Sequence, residues 1–223
     1  MGDKLKHYDV LIATPGNLLE AEYVRSLVLT LAECDKRGIS YKWLNAYSSL
    51  VHHARVLTIS DSNNLNLNPD DKGPVGDSVT YNKIFWIDSD ISWSVEDFFK
   101  LYDSDEEVIS GVYLLANGKT STIHTEDYPA GVPKDIIKTM SGITQAKNVG
   151  FGFLAVKSGV FEKIQRPWFA HIPQMMYNSN GETLFDSLGE DTSWCIRITE
   201  AGVKIYFDPT VLVGHIKKST ITW

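Results

Sequence analysis

The sequence has few cysteines and no long apolar stretch. Cys34 and Cys195 are the only two cysteines in 223 residues, and both stand in stretches with helical spacing. Two cysteines are too few for a disulfide framework, so we expect both to be reduced, as in a cytosolic protein. No apolar run approaches the roughly 18 residues that a membrane-spanning helix needs. These absences predict a soluble, cytoplasmic protein without a transmembrane segment.

The sequence also lacks an excess of positive charge, since 21 lysines and arginines stand against 28 aspartates and glutamates, for a net charge of −7. Nucleic acids and anionic membranes are bound through an excess of basic residues. The charge therefore argues against both as general partners. It does not argue against a nucleotide, which needs only local backbone donors and one or two cations.

Glycine-rich phosphate loops are missing as well. The sequence contains neither Gly-x-Gly-x-x-Gly nor a Walker lysine, so neither dinucleotide binding nor P-loop chemistry is supported. The chain nevertheless opens with an apolar strand at residues 8–13, a turn at 14–17 and an amphipathic helix at 18–37 that ends at Gly38. This order is typical of a nucleotide-binding α/β unit.

Strands and helices alternate through the rest of the chain. Ser48 or Ser49 is expected to cap the second helix, Ser94 is expected to cap the third, and Gly189 opens a helix near the C-terminus. Asp208-Pro209 predicts a turn between two short strands. We expect one domain over all 223 residues, of the α/β class, with a mostly parallel central sheet flanked by helices.

Two segments depart from this alternation. Residues 61–78 are rich in Asn, Asp, Gly and Pro, which predicts a long loop that is either functional or mobile. Residues 116–147 show no clear period. They are expected to be either an ordinary surface excursion or a segment that regulates access to a site.

A short apolar run in the middle of the chain ends in two carboxylates. Residues 83–87 predict a buried strand, and Asp88, Ser89 and Asp90 follow it directly. Side chains at the carboxyl end of such a strand point into the crevice where ligands bind. The two carboxylates repel each other unless a cation lies between them, and Mg²⁺ or Mn²⁺ bound to phosphate oxygens would satisfy both. By the motif alone, a solvated Asp-Ser-Asp turn fits equally well.

Two glycines stand near the start of a strand predicted at residues 148–156. Gly150 and Gly152 weaken that strand, because glycine has no side chain to pack and loses more entropy on folding than other residues. Their presence suggests that a ligand or another backbone approaches closely here.

Five segments, taken in order, resemble glycosyltransferases of the GT-A fold, the family-2-like enzymes that use nucleotide-diphosphate sugars. The segments are Ala13-Thr14-Pro15; Ser49-Leu50-Val51 with Ala54-Arg55; Phe85 to Ile91; Val149 to Leu154 with residues 160–162 and 167–169; and Gly189 to Thr192 with residues 201–202 and 208–215. The resemblance covers roughly residues 8–216. The pattern of segments is especially similar to small bacterial and viral members, including a chlorovirus-type domain. It implies a role in bacterial or viral glycan synthesis.

The resemblance also implies a fold and a reaction. The fold would be a single GT-A, Rossmann-like domain, with residues 8–115 as the nucleotide-binding half and 148–216 as the sugar and acceptor half. The reaction would be metal-dependent transfer of a sugar from a nucleotide-diphosphate donor, expected to be UDP-linked. The acceptor would be a glycan or another molecule with a free hydroxyl, and the anomeric configuration would be inverted.

Roles for individual acids follow from the resemblance. Asp88, Asp90 and His215 would hold Mn²⁺ or Mg²⁺, and Asp191, beside Glu190, would act as the catalytic base. A purely structural alternative exists for Glu190 and Asp191, because the helix dipole favours acidic residues at any helix N-terminus.

Donor and acceptor contacts are implied in the same way. Donor binding is expected from Thr14, Pro15, Asn45, Arg55, Asp88, Ser89, Gly150 and Gly152. Arg55 could equally be a solvated helix residue. Trp168 and Trp194 are the candidates for stacking on an acceptor sugar, with packing in the core as the alternative for both.

Two other functions compete with transfer. Residues 88–92 resemble the nucleophile motif of haloacid dehalogenase-type phosphatases, although that motif usually follows the first strand and here about 80 residues precede it. A sugar nucleotidyltransferase would carry a Gly-rich, basic N-terminal signature that is absent here. The alternative outside enzymes is a nucleotide-sugar binding module without turnover.

Overall fold

A computed structural model describes residues 5–60, 73–76, 79–177, 180–181 and 183–218. Of the long loop predicted at 61–78, only residues 73–76 fall within these ranges. Within the described part of the chain, every helix is too short or too polar to cross a lipid bilayer.

The described elements alternate along the chain. The strands are β1 (Lys6–Pro15), β2 (Tyr41–Ala46), β3 (Val79–Ile87), β4 (Ile91–Ser92), β5 (Val108–Val112), β6 (Ile123–His124), β7 (Thr144–Ala146), β8 (Asn148–Val149), β9 (Phe153–Lys157), β10 (Pro173–Tyr177), β11 (Thr183–Ser187), β12 (Ile205–Leu212) and β13 (Gly214–His215). The helices are α1 (Ala21–Arg37), α2 (Val51–Ile59), α3 (Val95–Tyr102), α4 (Lys134–Ile137) and α5 (Glu190–Glu200), with one 3₁₀ turn at Phe161–Lys163. The unpatterned segment 116–147 thus contains only short elements, β6, α4 and β7.

Seven of the described strands form the central sheet, in the order β2-β1-β3-β9-β5-β12-β7. Strands β2, β1, β3, β5 and β12 run in one direction, while β9 and β7 run antiparallel to their neighbours. The predicted α/β class with a mostly parallel sheet is therefore confirmed. β9 lies between β3 and β5, so the two halves of the sequence share one continuous sheet.

Helices cover the sheet on both faces, which explains why its central strands are apolar along their whole length. Successive side chains of a strand point to opposite faces. On one face, Leu11, Ala13, Ile84 and Trp86 pack with α2 and α5 through Ile59, Trp194 and Ile198. On the other, Val10, Ile12, Phe85 and Ile87 pack with α1 and α3 through Tyr23, Leu27 and Phe98. This double burial holds the carboxyl ends of β1 and β3 side by side.

Several helix ends lie where the sequence predicts them. Gly38 ends α1 in the left-handed conformation, with φ of 68°. Ser94 caps α3 through a reciprocal pair of hydrogen bonds with Asp97. Gly189 directly precedes α5. The cap of α2 was wrongly predicted: Leu50 occupies that position without a side-chain hydrogen bond, and Ser48 only accepts a hydrogen bond from the Leu50 N–H.

Two strand predictions are also wrong. Asp208-Pro209 does not form a turn between strands, because β12 runs through it from Ile205 to Leu212. Its pairing with β5 shifts register between Phe207 and Leu212, and such an irregularity accommodates a proline that cannot donate to the ladder. The strand predicted at 148–156 is interrupted at residues 150–152, between β8 and β9.

Candidate active site

The Asp88-Ser89-Asp90 turn joins β3 to β4 at the carboxyl edge of the sheet. β13 pairs with β4, placing His215 opposite Ile91. The Ile216 N–H donates to the Asp90 carbonyl at 2.8 Å, which extends the contact by one residue. A segment near the end of the described chain is thereby fixed against the carboxylate motif.

Asp90 and His215 contact each other directly. His215 Nε2 lies 3.2 Å from Asp90 Oδ2. The other ring nitrogen, Nδ1, donates to the Leu114 carbonyl at 2.7 Å, since a carbonyl can only accept. In the neutral ring Nε2 therefore carries a lone pair and no proton. It is protonated only in the imidazolium. The hydrogen bond to Asp90 raises the pKa of His215 above its ordinary value, against the opposing effect of burial.

Lys217 adds a second positive group at the same carboxylate. Its Nζ lies 2.8 Å from Asp90 Oδ2. Burial alone would raise the pKa of Asp90, but the hydrogen bonds from His215 and Lys217 lower it to about 2. Asp90 is therefore ionised at neutral pH. Neither Lys217 nor Lys218, which pairs with Glu20 at 2.7 Å, was singled out in the sequence, although the two lysines closely follow the Gly-His pair.

The Asp90–His215 pair has the chemistry of half a divalent cation site. A carboxylate oxygen and an imidazole nitrogen converge, and the imidazole is oriented through a backbone carbonyl, as in most histidines that bind metals. Among the described residues, no group of three or more His, Cys, Asp or Glu side chains is placed to hold a metal ion. The two side chains fit Mn²⁺ or Mg²⁺ if phosphate oxygens and water complete the ligand set.

Asp88, the third expected ligand, is paired with Arg55 instead. Arg55 Nη1 donates to Asp88 Oδ1 at 3.1 Å and Nη2 to Oδ2 at 3.4 Å, while Nε donates to Glu190 Oε1 at 3.3 Å. The arginine is only 3% exposed, so the alternative of a solvated helix residue is wrong. Burial alone would lower the pKa of Arg55, but Asp88 and Glu190 outweigh it and raise that pKa. Arg55 thus joins the carboxylate motif to the start of α5.

Asp191 occupies the first turn of α5, beside Glu190. Its Oδ1 accepts a hydrogen bond from the Thr192 N–H at 2.7 Å. Burial, and next the charge of Glu190, raise the pKa of Asp191 above its ordinary value. Glu190 and Asp191 therefore differ: Glu190 is held in an ion pair with Arg55, whereas burial gives Asp191 a strengthened affinity for a proton. That is the property of a general base.

The close approach expected at Gly150 and Gly152 is made by a protein side chain. The Gly152 N–H donates to the Tyr113 hydroxyl at 2.9 Å, and a Cβ on Gly152 would lie 2.6 Å from Tyr113 Cζ. A Cβ on Gly150 would also collide with the Tyr113 hydroxyl. Tyr113, which the sequence did not single out, further packs edge-on against His215 with ring centroids 5.2 Å apart. The space expected for a sugar beside these glycines is therefore filled by Tyr113.

The residues expected to cradle the nucleoside gather at the ends of β1 and β2, where they already hold one another. The buried Thr14 hydroxyl contacts the Tyr23 hydroxyl and accepts a hydrogen bond from Trp43 Nε1 at 3.1 Å. Asn45 Nδ2 donates to the carbonyls of Thr14 at 2.8 Å and Gly16 at 2.9 Å. Thr14 and Asn45 therefore shape the turn after β1, whatever they also bind.

Pro15 and Ser89 lie at the same edge. Pro15 ends β1, and Gly16 follows with φ of 138°, a conformation that side chains rarely adopt. A Cβ on Gly16 would lie 3.0 Å from Ser89 Oγ. The Ser89 carbonyl accepts a hydrogen bond from the Glu20 N–H at 3.1 Å. The turn after β1 is thus packed onto the carboxylate motif.

The two tryptophans proposed for an acceptor lie in the core. Trp168 is 1% exposed and Trp194 is 0% exposed. Both pack on Phe161, with ring centroids 5.5 and 5.4 Å apart. Neither ring has a face free for a sugar, so the acceptor prediction is wrong and packing, the alternative, is correct.

No protein-family model and no curated protein sequence matches the chain. Among solved structures, the chain is similar to A197 from STIV, with a TM-score of 0.50, 14% identity, and coverage of 98% of this chain and 97% of that one. It is also similar to the catalytic domain of Drosophila β1,4-galactosyltransferase 7 in complex with xylobiose, at TM-score 0.49 and 14% identity over 96% of this chain and 71% of that one. A third structure, GalNAc-T7 with UDP, GalNAc and Mn²⁺, gives a TM-score of 0.46 and 12% identity over 98% and 45% of the two chains. At 14% identity the similarity to A197 concerns the fold alone, and the lower TM-scores of the other two support no conclusion about activity.

Proposed function

We propose that the protein is a GT-A glycosyltransferase that moves a sugar from a nucleotide-diphosphate donor, UDP-linked, to an acceptor hydroxyl with inversion. The observation that carries the proposal is that two acids near one edge of the sheet have pKa values shifted in opposite directions. Asp90 is ionised and lies against His215 and Lys217, whereas Asp191 has a raised pKa on α5. Arg55 links the two groups through Asp88 and Glu190.

The diphosphate end of the donor belongs at Asp90. Asp90 and His215 would hold the Mn²⁺ or Mg²⁺, which supplies positive charge to the leaving diphosphate when it is bound. His215 can take this role while its Nδ1–H remains on the Leu114 carbonyl. Lys217, now on Asp90 Oδ2, can turn its ammonium to phosphate oxygens.

The acceptor end belongs at Asp191. Its carboxylate would remove the proton of the acceptor hydroxyl as that oxygen attacks the anomeric carbon. A base that faces the sugar from the side opposite the diphosphate produces inversion. Glu190 cannot share this role easily, because its carboxylate accepts a hydrogen bond from the buried Arg55.

The phosphatase alternative requires Asp88 as a free nucleophile. Both oxygens of Asp88 accept hydrogen bonds from Arg55, which neutralises the charge that a nucleophile needs. A binding module without turnover has the same donor site as a transferase. The two differ only in the chemistry expected of Asp191.

A donor screen tests the proposal. Nucleotide-diphosphate sugars are added with Mn²⁺ or with EDTA, and the melting temperature is recorded, since a ligand of the folded state stabilises it by mass action. We expect stabilisation by a UDP-sugar with Mn²⁺ that is lost in Asp90→Ala. Donors that bind equally well to Asp90→Ala would contradict the site. If donors bind but no sugar is released or transferred to any acceptor, the protein is a nucleotide-sugar binding module and not a transferase.

A further inference from the structure

Two histidines from distant parts of the chain meet on the surface beside the candidate active site. His52 lies in the first turn of α2, and His171 lies in the segment before β10. His171 Nε2 is 3.3 Å from His52 Nδ1, and the two rings are edge-on, with centroids 4.9 Å apart. Nothing in the proposed transfer reaction uses this pair.

The orientation of His171 leaves one nitrogen available as a ligand. Its Nδ1 donates to the Leu188 carbonyl at 2.8 Å. In the neutral ring Nε2 then carries a lone pair, and His52 Nδ1 lies 3.3 Å from that nitrogen. A backbone carbonyl that orients the imidazole in this way is the usual support of a histidine that binds a metal.

The separation of the two nitrogens suits a single tetrahedral ion. Zn–N bonds measure about 2.0–2.1 Å, so two ligating nitrogens at the tetrahedral angle lie about 3.3–3.4 Å apart. The observed separation is 3.3 Å. Imidazole pairs favour Zn²⁺ and its transition-metal neighbours over Mg²⁺, which prefers oxygen.

We propose that His52 Nδ1 and His171 Nε2 bind one Zn²⁺ ion, with water in the remaining positions. The part of the chain that the structure describes offers no group of three such side chains, so the ion is held by two protein ligands and exchanges with solvent. The ring of His53 lies 5.4 Å from that of His52, centroid to centroid. His171 is exposed and His52 is half-buried, so water can reach the pair and complete the ligand set.

The position of the pair gives the ion a structural consequence. His52 and Arg55 are three residues apart on α2 and share one face of the helix. Arg55 reaches Glu190, and His171 is bonded to Leu188, two residues earlier. An ion on the histidines would therefore hold α2 against the segment that leads into α5.

Metal titration of the isolated protein tests the site. Because Asp90 and His215 could also take Zn²⁺, the titrations use a His215→Ala background, with Zn²⁺ alone as the probe in calorimetry and Co²⁺ in absorption spectroscopy. We expect one ion per chain. Adding His52→Gln or His171→Gln should lower its affinity at least about 10-fold, the low end of losses seen when supporting groups alone are removed.

His124→Ala in the same background is the matched control, because His124 also bonds a backbone carbonyl, that of Pro129, but makes its contact in another part of the chain. It should leave the affinity unchanged. Circular dichroism of each apo variant separates loss of a ligand from loss of folding. No Zn²⁺ binding in the His215→Ala background, or equal binding after His52→Gln and after His124→Ala, would overturn the site. In that case the two rings share only a hydrogen bond.

Discussion

Arg55 and Asp88 form a two-point ion pair, with Nη1–Oδ1 and Nη2–Oδ2 separations of 3.1 and 3.4 Å. The pair lies at the point where α2, the end of β3 and the start of α5 meet, because the third donor of the same guanidinium binds Glu190. Arg55 also lies against the ring of Phe151, 5.1 Å from its centroid. A buried cation thus sets how two of the acids in the candidate site are held.

Replacing Arg55 by Met should destabilise the protein by about 3 kcal/mol, because it leaves carboxylates partly buried without their partner. Asp88 is partly exposed and can regain water, which places the loss at the low end of the range for buried pairs. Urea denaturation measures it. Lys36→Met, which removes an exposed pair with Glu33, is the control and should leave the unfolding midpoint unchanged. Equal effects of the two variants would contradict a buried role for Arg55.

Asp191→Asn should reduce sugar transfer by roughly 10²–10⁴, the usual contribution of a general base, and leave donor binding intact. The amide keeps the acceptor oxygen for the Thr192 N–H but cannot take a proton. Single-turnover assays with donor affinity measured in parallel distinguish the two quantities. Analysis of the product should show an inverted anomeric centre. Retained configuration, or near-normal transfer by the variant, would exclude Asp191 as the base.

The same substitution should change stability in a pH-dependent way. Burial raises the pKa of Asp191, so the folded state binds its proton more tightly than the unfolded state does. The favourable contribution of Asp191 to the stability of the folded state is present in full below the unfolded pKa of about 3.9. It is lost as the pH rises through the higher pKa of the folded state. Asp191→Asn should therefore be more stable than the native chain at pH 7, with a difference that shrinks towards pH 4. A difference independent of pH would contradict this.

His215→Ala should weaken metal-dependent donor binding on the order of 10- to 100-fold, the usual loss for a ligand or its support. Isothermal titration with UDP and Mn²⁺ measures it. His124→Ala is the control, because the Nδ1–H of that ring also donates to a backbone carbonyl, that of Pro129, at 2.9 Å. Unchanged affinity in His215→Ala would make His215 a spectator.

Gly152→Ala should destabilise the protein by about 1–3 kcal/mol, because the added Cβ would lie 2.6 Å from Tyr113 Cζ. If that contact is the cause, Tyr113→Leu should make the glycine substitution nearly neutral. A double-mutant cycle in urea measures the coupling between the two sites. Additive losses would show that the strain arises elsewhere.

Features that depend on neighbours along the chain could be predicted from the sequence. Gly38 ends α1 because a left-handed residue suits glycine, and Ser94 with Asp97 begins α3 because the two side chains reach each other's backbone N–H. The apolar run before Asp88 predicts a strand buried on both faces, which β3 is. The acids at the end of β3 could be named for the same reason, whereas Glu190 and Asp191 were named only through the resemblance to GT-A glycosyltransferases.

Which side chains meet across the fold depends on the tertiary contacts. Strand pairing between β13 and β4 brings His215 to Asp90, and the entry of β9 between β3 and β5 sets residues 150–152 against Tyr113. Arg55 binds Asp88 and Glu190 and is not solvated, because α2 packs over the sheet edge beside which these two acids lie. Trp168 and Trp194 lie in the core for a related reason, since both rings pack against Phe161. These contacts join residues far apart in the chain, and a local pattern contains no information on their distance.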